Sequence, residues 1–254
     1  MISLIACDID GTLLHGGERQ IAPAVFSQIR RLMDKGIAFC PASGRQYGSL
    51  QRLFAPLGPE MYCLCENGAA IFGPGGRLLS KTALPRDLAL GLCHEILEVE
   101  DCEVLISGEN TSYLCPKGPE IAYRMEHFTG NNVAIVASPE AVPEEILKVS
   151  AYCPAGAQGR KKRLTLPWAA QAGPTVAGEN WLDFTLATKG TGIRQLCDAM
   201  GISPEAVLAV GDNDNDVPML EMVGSPYIME NAAPHLLSRF PAHCRRVEEL
   251  LSRL

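Results

Sequence analysis

The stretch that decides the fold is IACDIDGTLLHG, residues 5–16. An apolar run reaches Asp8, a single apolar residue intervenes, and a second carboxylate, Asp10, precedes Gly11 and Thr12. A short continuous apolar run bounded by turn residues has the pattern of a strand buried on both faces. Carboxylates at the end of such a strand lose hydration and repel one another unless something compensates them. Acids in this position therefore ask for a cation.

Working outward, the next segments alternate. Residues 2–7 read as a strand and APAVFSQIRRLMDKG as a helix, with Val25, Phe26, Ile29, Leu32 and Met33 on one face and Gly36 as its stop. IAFCPA is a second strand, residues 45–55 a second helix and MYCLCE a third strand; AAIFGPGGRLLS reads as a hairpin with a Gly/Pro turn. This rhythm predicts an α/β fold, a Rossmann-like parallel sheet with helices on both faces, whose ligands gather outside the carboxyl ends of the strands. Asp8, Ser43 and Asn67 each stand just past a predicted strand end.

The middle of the chain reads as a smaller α+β unit. Helices are expected at 86–98 and 143–151, and strands at 102–107, 111–115, 132–136 and 181–186, with CPAGAQGRKKR (153–163) as a loop. After Lys189 the first rhythm returns. A helix is expected at 190–200, strands at AVLAV and PYIM, a short helix at 216–222 and a final helix in VEELLSRL. The expected organisation is one core, residues 1–81 and 187–254, with an inserted cap at 82–186.

Bulk properties narrow the function. The 254 residues are 47% hydrophobic and carry a net charge of −7, which argues against nucleic acid or an anionic membrane as the main partner. No apolar run approaches the ~20 residues of a membrane span, and MISLIAC lacks the basic start of a signal peptide, so the chain reads as soluble and cytoplasmic. Ten cysteines are scattered along it, with Cys63 and Cys65 the tight pair; without a second pair at zinc spacing they read as buried free thiols. The five histidines show no ligand spacing.

A second acidic strand end follows in AVGDNDNDVPML, residues 209–220. Alone it could be a turn, since Asn, Asp and Gly suit turn backbones. If both strand ends belong to one sheet, Asp8, Asp10 and Asp212 converge at one rim, and hard oxygen ligands of this kind suit Mg²⁺. The run lacks the Gly and Glu that an EF-hand loop needs at its sixth and twelfth positions.

DIDGTL, PASGR, TKG and GDNDNDVPM, in this order, resemble the four motifs of the haloacid dehalogenase-like (HAD) superfamily. The insertion resembles the C2-type cap of its Cof-type phosphatases, as do ENGA at 66–69 and IMENA at 228–232. The resemblance implies a Mg²⁺-dependent phosphatase acting on a small phosphorylated metabolite, sugar phosphates being common family substrates. It assigns nucleophilic attack to Asp8 and proton transfer to Asp10. Metal binding falls to Asp8, the backbone carbonyl of Asp10, and Asp212, with Asp216 ligating or supporting. Lys189 supplies a fixed cation beside the transferring group. Ser43 and Gly44 would bind the phosphoryl group, although Ser43 also reads as a helix N-cap. Arg45 would reach phosphate or substrate, or decorate the first helical turn. Asn67 and Gly68 would line the substrate pocket or form the turn into the hairpin, and Asn215 would bind phosphate. Thr12 could orient a neighbouring acid, and Asp214 reads as a turn residue. RKKR (160–163) is an anion clamp or a solvated basic loop.

The C-terminal PAHCRRVEELLSRL departs from the subfamily pattern, as does Glu230 before Asn231. Two other readings stay open. A phosphomutase of the phosphomannomutase type shares this layout. A non-catalytic binding protein would be expected to have lost Asp8, Asp10, Lys189 or Asp212.

Overall fold

Leu4–Cys7 form strand β1, buried along its whole length. In a computed structural model, which describes residues 2–16 and 18–254, the chain continues through α1 (Pro23–Asp34), β2 (Ala38–Pro41), α2 (Tyr47–Leu53), β3 (Cys63–Cys65), β4 (Ala70–Phe72) and β5 (Leu78–Lys81). Then follow α3 (Arg86–Leu97), β6 (Glu103–Ser107), β7 (Ser112–Leu114), α4 (Glu120–Arg124), β8 (Val133–Ile135), β9 (Lys148–Tyr152), α5 (Ala157–Leu164), β10 (Thr175–Val176) and β11 (Trp181–Phe184). The last elements are α6 (Lys189–Met200), β12 (Val207–Gly211), α7 (Val217–Leu220), β13 (Ser225–Met229), α8 (Pro234–Arg239), β14 (His243–Cys244) and α9 (Val247–Ser252).

The chain divides into two compact units, one of Met1–Ser43, Leu50–Ser80 and Thr188–Leu254, the other of Gly44–Ser49 and Lys81–Ala187. The sequence pattern gives no sign that Gly44–Ser49 packs with the second unit, since residues 45–55 carry the pattern of one continuous helix.

The first unit is built on a parallel sheet ordered β14-β13-β12-β1-β2. β1 lies at its centre because Leu4, Ile5, Ala6 and Cys7 are 0–1% exposed and need cover on both faces. α1 begins with Pro23 in its first turn and turns Val25, Ile29 and Leu32 inward. β3 is carried onto the β2 edge by a parallel bridge, Ala42↔Leu64, and forms a second small sheet ordered β3-β4-β5.

Between β3 and β4 the backbone takes three successive left-handed residues, Glu66 (φ 51°), Asn67 (φ 58°) and Gly68 (φ 97°). Gly68 is required there for a second reason. A Cβ on it would stand 2.3 Å from the Thr188 carbonyl oxygen, and one on Gly192 would stand 2.9 Å from the Gly68 Cα. Two glycines thus let the first turn of α6 rest directly on this turn, which fixes where Lys189 begins the helix. Thr188 and Thr191 cap that helix reciprocally.

The second unit has a six-stranded sheet ordered β10-β11-β9-β6-β7-β8, antiparallel except for β7 with β8. α3 covers it with Leu88, Leu92 and Ile96, packed in one core with Val104, Ile106, Val149 and Phe184. The helix expected at 143–151 is not formed: residues 143–147 lie outside helix and strand, and strand β9 starts at Lys148, its five residues all buried between β6 and β11. Pairing on both edges outweighs the helical spacing of a few apolar residues. The loop expected at 153–163 contains helix α5, which buries only Ala157 and Leu164 and so shows little apolar period. Within RKKR, Arg160 pairs with Asp101 and Arg163 with Glu95, as a solvated basic face does.

All ten cysteines are free thiols and nine are buried. Among the described residues no helix is long and apolar enough to cross a membrane.

Gly68→Ala is expected to lower the thermal midpoint far more than Gly36→Ala. Gly36 is also left-handed (φ 83°), but nothing lies within 4 Å of a Cβ there. Strain alone costs about 1 kcal/mol, whereas the clash with Thr188 adds a packing cost of about 1–3 kcal/mol. Equal midpoints in a thermal melt would contradict the packing role assigned to Gly68.

Candidate active site

Parallel register brings the acids together. Cys7 pairs with Val210, and the Asp8 N–H donates to the Val210 carbonyl at 2.9 Å, so β1 and β12 end side by side. Asp8 leaves the end of β1 and Asp212 the end of β12. After Asp8 the chain turns sharply, and the Ile9 carbonyl accepts from the N–H groups of Thr12, Leu13 and Leu14. Gly11, at φ 101°, allows this turn to lie against Asp212; a Cβ on it would fall 2.1 Å from Asp212 Oδ2. Asn231 Nδ2 donates to the Gly11 carbonyl at 2.9 Å and ties the turn to the segment after β13.

Lys189 is the centre of the polar network. Its ammonium donates to Asp8 Oδ1 and to Asp216 Oδ1, each at 2.5 Å. Lys189 is 1% exposed, Asp8 5% and Asp216 0%. Burial pulls the ammonium's pKa down, but Asp216 and Asp8 outweigh it and leave Lys189 above the ordinary lysine value. The other oxygen of Asp216, Oδ2, accepts from the backbone N–H groups of Asp212 (2.9 Å) and Asn213 (3.0 Å). Asp216 therefore shapes the loop that carries Asp212 and holds Lys189 in place, as a supporting carboxylate does.

Carboxylate oxygens of Asp8, Asp212 and Asp216 all lie within 4.8 Å of one another. With every group ionised, three negative charges face one ammonium. Burial, then repulsion from Asp216, raises Asp8 well above the usual carboxylate range, against the pull of Lys189. Burial, then Asp216, pushes Asp212 up to about 6. Like charges at this spacing repel by about 3 kcal/mol at an effective dielectric of about 20. The donor set is hard, anionic and short of positive charge, which fits a divalent cation such as Mg²⁺.

The remaining sequence candidates take distinct places. The Asp10 carboxylate is exposed on the turn after β1 and lies outside the three-acid cluster. Thr12 Oγ1 donates to Asp212 Oδ1 at 3.3 Å. Ser43 is buried between two backbone bonds: its N–H donates to the Leu64 carbonyl and its carbonyl accepts from Asn67 N–H, both at 2.9 Å. It lies four residues ahead of α2, so it is not that helix's N-cap. Gly44 and Arg45 belong to the second unit. Asn215 Nδ2 reaches Asn67 Oδ1 at 3.4 Å, joining the two asparagine candidates, and Gly68 packs on α6 as described. Asp214 is an exposed turn residue paired with His235 at 2.8 Å. Asn231, which the sequence marked only within IMENA, is the residue that pattern alone gave no role.

The sequence profile of the haloacid dehalogenase-like hydrolase family matches residues 5–249. An HMP-PP phosphatase of Serratia proteamaculans (strain 568) is 26% identical over 97% of this chain and 92% of its own. A 5-amino-6-(5-phospho-D-ribitylamino)uracil phosphatase of Escherichia coli (strain K12) is 24% identical over 91% of this chain and 86% of its own. Among solved structures, a haloacid dehalogenase-like hydrolase from B. subtilis superposes with a TM-score of 0.84, at 22% identity, over 100% of both chains. A HAD subclass IIB sugar phosphatase does so with a TM-score of 0.82, at 19% identity, over 99% of this chain and 98% of the other. The chain belongs to the haloacid dehalogenase-like hydrolase family, as an enzyme of the phosphatase kind.

Proposed function

We propose that this enzyme hydrolyses a small phosphorylated metabolite, with Mg²⁺, through a phosphoryl group carried on Asp8. The observation that carries the reading is the buried Lys189 ammonium shared between Asp8 and Asp216 beside Asp212. Phosphoryl transfer gains mostly from positioning and charge stabilisation, and this arrangement supplies both.

Lys189 engages Asp8 Oδ1, so Oδ2 is the attacking atom. As the Oδ2–P bond forms, the bond from phosphorus to the leaving oxygen breaks, and the Asp10 carboxyl protonates that oxygen. Asp10 then takes a proton from water; the water oxygen attacks phosphorus, and the Oδ2–P bond breaks to release phosphate and restore Asp8. The proton that the Asp10 carboxyl gives to the leaving oxygen in the first step is regained from water in the second, so one carboxyl serves as acid and then as base. Asp8, Asp212 and the Asp10 carbonyl would hold the metal, with Asp216 supporting them. Bound Mg²⁺ supplies positive charge that offsets the repulsion between Asp8 and an anionic phosphate.

Ser43, Gly44, Arg45 and Asn215 would receive the phosphoryl oxygens, and Asn67 and Gly68 would line the substrate pocket. Two relatives are named for phosphorylated substrates, HMP-PP and 5-amino-6-(5-phospho-D-ribitylamino)uracil, so these two compounds join sugar phosphates as the substrates to test.

Inorganic phosphate release should require Mg²⁺ and vanish with EDTA. Asp8→Asn should lower it by about a thousandfold or more while the protein stays folded. Release undiminished in that variant, or hexose-phosphate isomerisation without net release, would contradict the reading. Asp10→Asn should lose about a hundredfold or more in turnover yet still be inhibited by inorganic phosphate. Full turnover in Asp10→Asn would remove its acid and base roles.

Asp212 gives a pH test on metal-free protein. Its folded pKa of about 6 stands above the ordinary 3.8, so the folded chain binds this proton more tightly than the unfolded chain does. That contribution is complete at low pH and is lost as pH rises through about 6. In EDTA, the melting midpoint of Asp212→Asn should rise relative to wild type between about pH 4 and 6.5, then level off ~3–6 °C higher. Mg²⁺ should stabilise wild type and leave the variant unchanged. A pH-independent difference would refute the charge assignment.

A further inference from the structure

Gly44–Ser49 follows directly on Ser43, and residues 44–46 lie outside helix and strand. Side chains of the second unit hold this segment at both ends and in its middle. Gln46 is 1% exposed and uses both sides of its amide. Its Nε2 donates to Ser112 Oγ (3.1 Å) and to the Asn132 carbonyl (3.3 Å), and its Oε1 accepts from Asn132 N–H (2.7 Å). Gly48 N–H donates to Asn110 Oδ1 at 2.8 Å, and Ser49 Oγ donates to the Thr129 carbonyl. A Cβ on Gly48 would stand 2.9 Å from Asn132 Nδ2, so the contact is close-packed.

The other end is held by a charge. Lys148 Nζ donates to the Gly44 carbonyl at 2.9 Å. Lys148 is 4% exposed and Asp183 3%, with Nζ and Oδ2 3.4 Å apart; Ser150 Oγ donates to Asp183 Oδ1 at 2.7 Å. Asp183 compensates the buried ammonium, while the ammonium itself grips the carbonyl of the residue next to Ser43. A buried ion pair is weak evidence of stabilisation and is better explained when it fixes a geometry. Ser43 in turn is fixed on the first unit by its bonds to Leu64 and Asn67.

We propose that Lys148 and Gln46 are positioning residues of the reaction: they hold the peptide groups after Ser43 in the geometry that receives the phosphoryl group. The inference rests on the phosphatase reading. Neither residue need touch substrate; both act through the Gly44–Ser49 backbone.

The test compares wild type with Lys148→Met, Lys148→Met/Asp183→Asn and Gln46→Met. The double variant removes both charges together and keeps the acceptor for Ser150, so it folds even where the single variant, with Asp183 unpaired, does not. Three quantities are read: amide hydrogen exchange over residues 44–49, the melting midpoint, and kcat, KM and inhibition by inorganic phosphate. In the double variant exchange should quicken in this segment with little change in midpoint; in Gln46→Met it should quicken with a lower midpoint, since Ser112 Oγ and Asn132 N–H each lose a partner. Turnover should fall about tenfold or more and phosphate inhibition should weaken similarly, since small misplacements of binding groups are costly. If Asp183→Asn restores the turnover that Lys148→Met loses, Lys148 is merely structural and the proposal is overturned. Unchanged exchange over 44–49 would overturn it as well, whatever the activity. A wild-type protein that releases no phosphate from any substrate would bring down the phosphatase reading and this proposal with it; the exchange data would still report whether the segment is held.

Discussion

The Lys189 ammonium, buried between Asp8 and Asp216, is the contact on which the rest of the site depends. A lysine at 1% exposure is tolerated only with its charge compensated, and two carboxylates at 2.5 Å do that. Removing one member of such a group strands the others, at a cost of about 3–5 kcal/mol. The same two contacts fix one oxygen of Asp8 and, through Asp216, brace the loop that presents Asp212.

Backbone geometry decides where those side chains meet. Adjacent parallel strands β1 and β12 end together, so residues just past each end share a rim. Gly11 lets the turn after Asp8 lie against Asp212, and Gly68 lets the first turn of α6 lie against the turn after β3. Asp216 completes the arrangement by accepting two backbone N–H groups of its own loop. The resulting cluster carries more negative than positive charge, and its oxygens lie close enough together that they could hold a metal ion.

Much of this could be read from the chain alone. Apolar runs ending in Asp8 and in Gly211–Asp212 identified the central strands, because a strand buried on both faces leaves a continuous apolar signature. The α/β class and the hairpin after Asn67 followed from the same kind of pattern. The region 143–151 departs from its helical pattern because β9 carries Lys148 and Ser150 inward, where Asp183 pairs with them; periodicity cannot anticipate a buried polar partner from another strand. Helix α5 is invisible to periodicity for the opposite reason, having almost no apolar face. Within the site, the motif order pointed to Asp8, Lys189 and Asp212, but the division of labour in which Asp216 supports the loop needed the hydrogen bonds. Gln46 and Lys148 left no signal, and Asn231 only its place in IMENA, since each bonds backbone that only the fold brings near.

Whether Asp8 carries the phosphoryl group is tested directly by rapid acid quench during turnover of a good substrate, followed by mass spectrometry of the peptide containing Asp8. A covalent route through Asp8 gives a peptide heavier by one phosphoryl group, acid-stable and alkali-labile, absent from Asp8→Asn and gone once substrate is exhausted. A pre-steady-state burst of the leaving alcohol, ahead of phosphate, with no modified Asp8 peptide at any quench time would contradict that role.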